Sequence, residues 1–165
     1  MGMASVVRPE DERETIQAAG DEYRYLTTGE ETDGRYFIME GLVPPGGGPP
    51  PHIQTREDEG FYILEGTVTF WVDGDEIEAS IGTFLHVPRG VLHNFQNRSD
   101  QPARMLFIFA PAGIEGMMTK MAASPDQYME IGAEYGVEFP NHESHRLPPN
   151  TEDRGTRNTS ADPPR

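Results

Sequence analysis

Between Gly46 and Gly66 the chain reads GGGPPPHIQTREDEGFYILEG. Consecutive glycines and prolines punctuate a loop and disfavour a helix, so the segment enters a short strand at His52. In an extended strand side chains alternate between faces, so His52 and Gln54 point the same way, as do Glu59, Phe61 and Ile63 farther along. Two polar groups two residues apart, followed by a carboxylate on the next strand, can converge on one ion.

Working outward, residues 14 to 110 run in short apolar or alternating segments separated by Gly, Pro and Asp: TIQAA, EYRYLTT, RYFIMEGLV, GFYILEG, TVTFWVD, EIEAS, TFLHVP, VLHNFQN and ARMLFIFA. Many short strands with turn residues between them predict an all-β sandwich or barrel. Asp73-Gly74-Asp75, between TVTFWV and EIEA, marks a hairpin, because Gly adopts the positive φ such turns need. Beyond Pro111 the pattern changes. Ser124-Pro125-Asp126 supplies a cap, a first-turn proline and an acid ahead of QYMEIGAEYG, which predicts a short helix ending at Gly136; a second helical turn is expected over 113–122. Met117, Met118, Met121, Tyr128, Met129 and Ile131 are expected to pack this pair onto the barrel or a partner subunit, with a methionine-lined lid as the alternative. The expected organisation is a flexible arm over 1–13, a β-barrel over 14–112, a helical segment packed on it over 113–140 and a disordered tail over 141–165, where apolar residues nearly vanish. His142 and His145 lie in that tail and are read as solvated.

Composition narrows the function. The 165 residues suit one domain with a full core. With no cysteine, disulfides, thiolate metal sites and a Cys nucleophile are excluded, so a metal must sit on His, carboxylate or amide ligands. A formal charge of −15, with Lys120 as the only lysine, opposes nucleic acid and anionic membranes as partners. The first residues, MGMASVVRPEDERE, lack the apolar core of a signal peptide and no apolar run approaches a membrane span, so a soluble, cytoplasmic protein is expected.

A second segment, Gly82 to Asn97, reads GTFLHVPRGVLHNFQN and supplies a turn glycine, a Pro-Arg-Gly turn and His93 opening a strand. His93 joins His52, Gln54 and Glu59 as the fourth site residue. Glu57 and Asp58 are alternatives at the carboxylate position. His86 is left out of the set. Arg89 meets either an acidic ligand or a nearby carboxylate, Phe70 and Trp71 are read as strand packing, and Gly90 and Asn97 as turn and strand geometry.

These two segments resemble the cupin superfamily. Its first motif, Gly-x5-His-x-His-x4-Glu-x6-Gly, falls on Gly46, His52, Gln54, Glu59 and Gly66, with Gln54 in the place of the second histidine. Its second, Gly-x5-Pro-x-Gly-x2-His-x3-Asn, falls on Gly82, Pro88, Gly90, His93 and Asn97 without departure, and 15 residues separate the two. The wording over residues 14–136 is similar to the monocupins grouped with quercetin 2,3-dioxygenase. The resemblance implies a jelly-roll barrel, a homodimer, and a divalent metal (Fe, Ni, Mn, Cu or Zn) held by His52, Glu59, His93 and the residue at Gln54. An amide oxygen is a poorer ligand than imidazole for such metals, yet two histidines and one carboxylate still form the ligand set of non-haem iron oxygenases.

Three functions stay open on this reading. The first is a dioxygenase-like enzyme acting on an aromatic, polyphenolic or enolic substrate, with Glu59 and Gln54 catalytic. The second is a redox-neutral cyclase or isomerase of a polyketide-like carbonyl substrate, with Gln54 aligning the carbonyl and Glu59 or His93 moving a proton. The third is a non-catalytic small-molecule binder. Phe37, Met39, Phe61, Phe95, Met105 and Phe107 are the expected pocket residues, which makes the pocket mostly apolar.

Overall fold

The structure, a computed structural model, describes residues 4–18 and 20–140. The expected tail from 141 onward, with His142 and His145, lies outside the described residues. Two antiparallel sheets face each other as a jelly roll. The six-stranded sheet runs β1 (Thr15–Ala18), β2 (Asp21–Thr27), β3 (Phe37–Val43), β10 (Ala103–Ala110), β5 (Asp58–Glu65), β8 (Phe84–Val87). The five-stranded sheet runs β11 (Val137–Glu138), β4 (His52–Gln54), β9 (Leu92–Gln96), β6 (Thr67–Val72), β7 (Asp75–Ser80).

Strands β1 to β4, β9 and β10 alternate buried and more open positions, as a sheet with one face on a core demands. On β10, Ala103, Met105, Phe107 and Phe109 face inward while the residues between them are only partly buried. From the other sheet Phe70 and Phe95 meet this face. Phe61 on β5 packs between them, its ring centroid 4.9 Å from Phe70 and 5.4 Å from Phe107, both edge-on. Edge-on aromatic pairs of this kind add to the stabilisation from burial alone. Gly41 on β3 permits the close approach of Tyr23 and Phe107, whose rings are 5.4 Å apart, because any side chain there would strike the Phe107 ring.

The β6–β7 hairpin forms at the expected place. Val72 pairs with Asp75, and both turn residues, Asp73 (φ 50) and Gly74 (φ 92), have the left-handed backbone of a type I′ turn. Asn97 is fully buried at the end of β9. Its amide Nδ2 donates to the carbonyls of Val43 and Gln101, while Oδ1 accepts from the Ser99 backbone and hydroxyl. It ties the β3 and β9 ends to the loop that leads into β10.

After β10 come α1 (Glu115–Ala123), a 3-10 turn over Pro125–Gln127 and α2 (Tyr128–Glu134). The helices lie near the expected places, but Ser124 makes no side-chain cap bond, and only its backbone carbonyl accepts from Gln127. Met117, Met121 and Ile131 are buried against the barrel, whereas Met129 faces outward. The chain then returns as β11, whose Val137 pairs with Gln54. That two-residue strand was not expected; nothing in its composition separates it from a loop, and the pairing partner lies more than eighty residues away. It anchors the helical segment beside the residues of β4. No helix among the described residues is long and apolar enough to cross a membrane.

Candidate metal and substrate site

His52 and His93 are register partners on β4 and β9, which brings their rings to a centroid separation of 4.4 Å. Gln54 shares the inner face of β4 with His52, and Glu59 reaches in from β5 of the opposite sheet. The site therefore bridges the two sheets. One ligand atom each from His52, Glu59 and His93 lies within 4.8 Å of the others, and all three residues are buried. These residues can hold a metal ion.

The hydrogen bonds fix how each group is presented. A carbonyl only accepts, so the contacts of His52 Nδ1 with the Pro50 carbonyl (2.9 Å) and His93 Nδ1 with the Val91 carbonyl (3.0 Å) put a proton on each Nδ1. That orientation leaves Nε2 of each ring to face the site, the usual way a backbone partner sets a metal-binding histidine. Glu59 Oε2 receives two bonds, from Gln54 Nε2 at 2.9 Å and His93 Nε2 at 3.0 Å. Burial, and then the neighbouring His93, drag the His52 imidazole down to about 3, so it is neutral with a free lone pair. Burial also pulls on His93, but the hydrogen bond and charge of Glu59 outweigh it and the net direction is upward. A cation entering the site takes the place of the His93 Nε2 proton, since a metal ligand must be deprotonated.

Gln54 is the informative member. Its amide nitrogen is bound to Glu59, while its Oε1 is buried with no hydrogen-bond partner. An orphaned buried acceptor costs free energy until a donor or a cation reaches it. The donor set of two imidazoles, a carboxylate and an amide oxygen suits a divalent metal, so the residues present fit one.

A cavity of about 60 Å³ opens on this group, lined by His52, Gln54 and Glu59 on the strand side. Phe95, Phe107, Phe109 and Ile114 continue the wall, and Met117, Met118, Met121, Tyr128, Val137 and Phe139 close it from the helical segment. The volume holds a few water molecules. A multi-ring ligand requires the helical wall to give way, and methionines, with flexible and polarisable side chains, are suited to that.

Of the residues expected in the pocket, Phe95 and Phe107 line it. Phe37, Met39, Phe61 and Met105 face inward but lie outside its wall, in the packed core. Strand parity gives a residue's face and says nothing of its depth. His93 joins the group through Glu59 but stands behind the wall. Glu57 is buried apart from the cluster, its carboxyl raised by burial, with Oε2 lacking a partner. Asp58 is bound instead to Arg89, whose Nε donates at 3.0 Å and whose guanidinium holds the carboxyl down to about 2. His86 is exposed on the outer face, and Trp71 donates to Glu76. Tyr23 and Phe109 in the wall went unread in the sequence. Phe109 shares the parity of Phe107 and was available by the same alternation.

Residues 39–109 match the family described as the Cupin domain. The chain is 33% identical over 97 residues to quercetin 2,3-dioxygenase of Bacillus subtilis, covering 58% of this chain and 28% of that protein. It is also 33% identical over 75 residues to the tetracenomycin polyketide synthase protein TcmJ of Streptomyces glaucescens, covering 46% of this chain and 50% of that one. It thus spans half or less of the length of these two relatives. Among solved structures, the polyketide cyclase RemF of Streptomyces resistomycificus superposes with a TM-score of 0.57 at 25% identity, over 66% of this chain and 80% of that one. Residues 39–109 thus form a cupin domain, and the matched segment is similar to quercetin 2,3-dioxygenases.

Proposed function

We propose that this cupin-domain protein is a metal-dependent, dioxygenase-like enzyme that takes an aromatic, polyphenolic or enolic substrate into the cavity above Glu59. The observation that carries the reading is the buried cluster of His52, Glu59 and His93, of which His52 and Glu59 open onto a mostly apolar cavity. A divalent metal held by those three residues, with Gln54 beside them, would supply Lewis acidity and, if redox-active, access to oxygen chemistry. The likeness to quercetin 2,3-dioxygenase over the matched segment supports the same direction.

The protein's own groups have defined tasks in this reading. Phe95, Phe107 and Phe109 hold the substrate ring and exclude water. A hydroxyl entering above β4 donates to Gln54 Oε1, the acceptor that lacks a partner. Its proton is then taken by the Glu59 carboxylate, which Gln54 Nε2 orients. His52 stays neutral throughout the physiological range.

A second reading is favoured by the amide itself. Gln54 offers one donor and one acceptor in fixed relation, which suits alignment of a carbonyl for a redox-neutral cyclisation with Glu59 moving the proton. The structural likeness to a polyketide cyclase supports it. Oxygen uptake with a flavonol separates the two: metal-dependent uptake, lost in Glu59→Ala, supports the first, product formed without oxygen supports the second, and binding without turnover contradicts both. We also take the protein to be a cytoplasmic homodimer. Exposed Leu42, Tyr62 and Phe84 on the outer face of the six-stranded sheet support the dimer, which light scattering checks.

A further inference from the structure

Asp21 opens β2 with no exposure to solvent, and Tyr23 lies two residues on, facing the same side. Tyr23 is itself buried and lines the cavity. Its hydroxyl donates to Asp21 Oδ2 at 3.0 Å. The other carboxyl oxygen, Oδ1, is buried without a partner beneath the 46–48 loop, where a side chain on Gly47 would collide with it. Charged carboxylates are rarely left in such a place unless something offsets them. Here burial lifts Asp21 to about 6, against the partial compensation of the Tyr23 bond. The neighbouring Tyr128, also in the cavity wall, is pushed up to about 12 by burial and by the Asp21 charge. Tyr23 and Tyr128, with Asp21 behind Tyr23, thus add a second polar cluster to a cavity wall that already holds Gln54, Glu59 and His52 and is otherwise mostly apolar.

We propose that Tyr23, held by Asp21, is a second recognition point in the cavity, selecting substrates that carry another oxygen away from the group that meets Gln54 and Glu59. With Asp21 ionised, the tyrosine proton is committed to Oδ2 and the phenol oxygen accepts from a ligand hydroxyl. With Asp21 protonated, the carboxylic acid donates to the phenol oxygen and frees the tyrosine proton for a ligand carbonyl. Either way the pair recognises an oxygen function, and a ligand lacking one leaves it unsatisfied. Tyr23 makes the contact and Asp21 is a positioning residue. The inference rests on the cavity being the substrate site and narrows the substrate class to polyoxygenated ring compounds.

The test is anaerobic calorimetric titration of the metal-replete protein with two probes: quercetin, hydroxylated on several rings, and 3-hydroxyflavone, which keeps only the hydroxyl-ketone pair. The wild type should favour quercetin, and Tyr23→Phe, which keeps the ring and its packing, should weaken quercetin about tenfold, the worth of one buried hydrogen bond, with 3-hydroxyflavone unchanged. Asp21→Asn should narrow the preference in the same direction, an effect that mere loosening of the fold would spread over both probes. Glu59→Gln should weaken both. If Tyr23→Phe preserves the preference while Glu59→Gln weakens both probes, the second recognition point is wrong and the cavity reading stands. If neither variant alters either probe, or the wild type binds neither, both are wrong.

Discussion

On the strand side of the cavity, His52, Gln54, Glu59 and His93 are held by short hydrogen bonds to one another and to backbone carbonyls, on strands paired in fixed register. On the helical side, Met117, Met118, Met121 and Tyr128 touch the same cavity through apolar side chains, on a segment secured by the β11 pairing and by bonds from Tyr25, Gly29 and Thr55 to its backbone and to Glu115. The first wall is set for chemistry, because groups that must meet one ion tolerate little displacement. The second is suited to shaping a ligand through its flexible methionine side chains, while bonds from Tyr25 and Gly29 to Glu115 hold the start of α1. One cavity therefore joins a fixed wall of reacting groups to an adaptable apolar wall.

The sharpest way to break this division is Glu59→Ala. It strips Gln54 Nε2 and His93 Nε2 of their shared acceptor, and metal affinity measured by competition with a chelator should fall more than the roughly 100-fold that even outer partners can cost. Next comes Asp21→Asn, which probes a rigid residue outside the ligand group. The wild-type carboxyl is raised from 3.8 to about 6, so the folded state holds its proton more tightly than the unfolded one. Its stabilising effect is present below pH 4 and is lost as pH climbs through 6, so the ionised form costs stability at neutral pH by about 3 kcal/mol. Tyr23 and Tyr128 face this group and stay neutral across that window, both being raised above the ordinary phenol range. Urea denaturation should show the asparagine variant gaining on the wild type as pH rises from 3.8 to about 6 and running parallel to it above; parallel profiles across that lower window would contradict it.

A third, smaller effect belongs to the helical wall. Phe139 packs against Tyr128 with tilted rings 4.9 Å apart, and its ring centroid stands 6.2 Å from that of His52. Phe139→Ala should weaken flavonol binding about tenfold, in line with the loss of an aromatic contact and the packing around it, while metal content stays unchanged. Loss of metal in that variant would mean the two walls are not separate. The smallest effect is expected from Gln54→His, which should raise affinity for nickel, iron or zinc by a few-fold to tenfold, imidazole being the better ligand. An unchanged titration would place residue 54 outside the coordination sphere.

The strand wall was legible because its geometry is local. Gly46, Gly66, Gly82 and Gly90, all at positive φ, bracket the two ligand segments, and spacing along extended chain fixes which side chains share a face. The helical wall was legible only as helices. Its lining depends on β11 pairing with β4 across more than eighty residues, a contact for which a two-residue strand leaves no periodic signal. Depth was equally hidden: Met105 and Phe107 alternate alike on β10, yet only Phe107 reaches the cavity. Asp21 could have been noticed as an acid in phase with Tyr23 and Tyr25 on an otherwise apolar face.

The most direct test of the central claim is elemental analysis of the purified, untagged protein after growth in metal-replete medium, beside the Glu59→Ala variant. Near-stoichiometric iron, nickel, copper, manganese or zinc in the wild type, and its loss in the variant, is the predicted result. A wild type without metal would contradict the account and leave Gln54 and Glu59 as groups that meet the substrate directly.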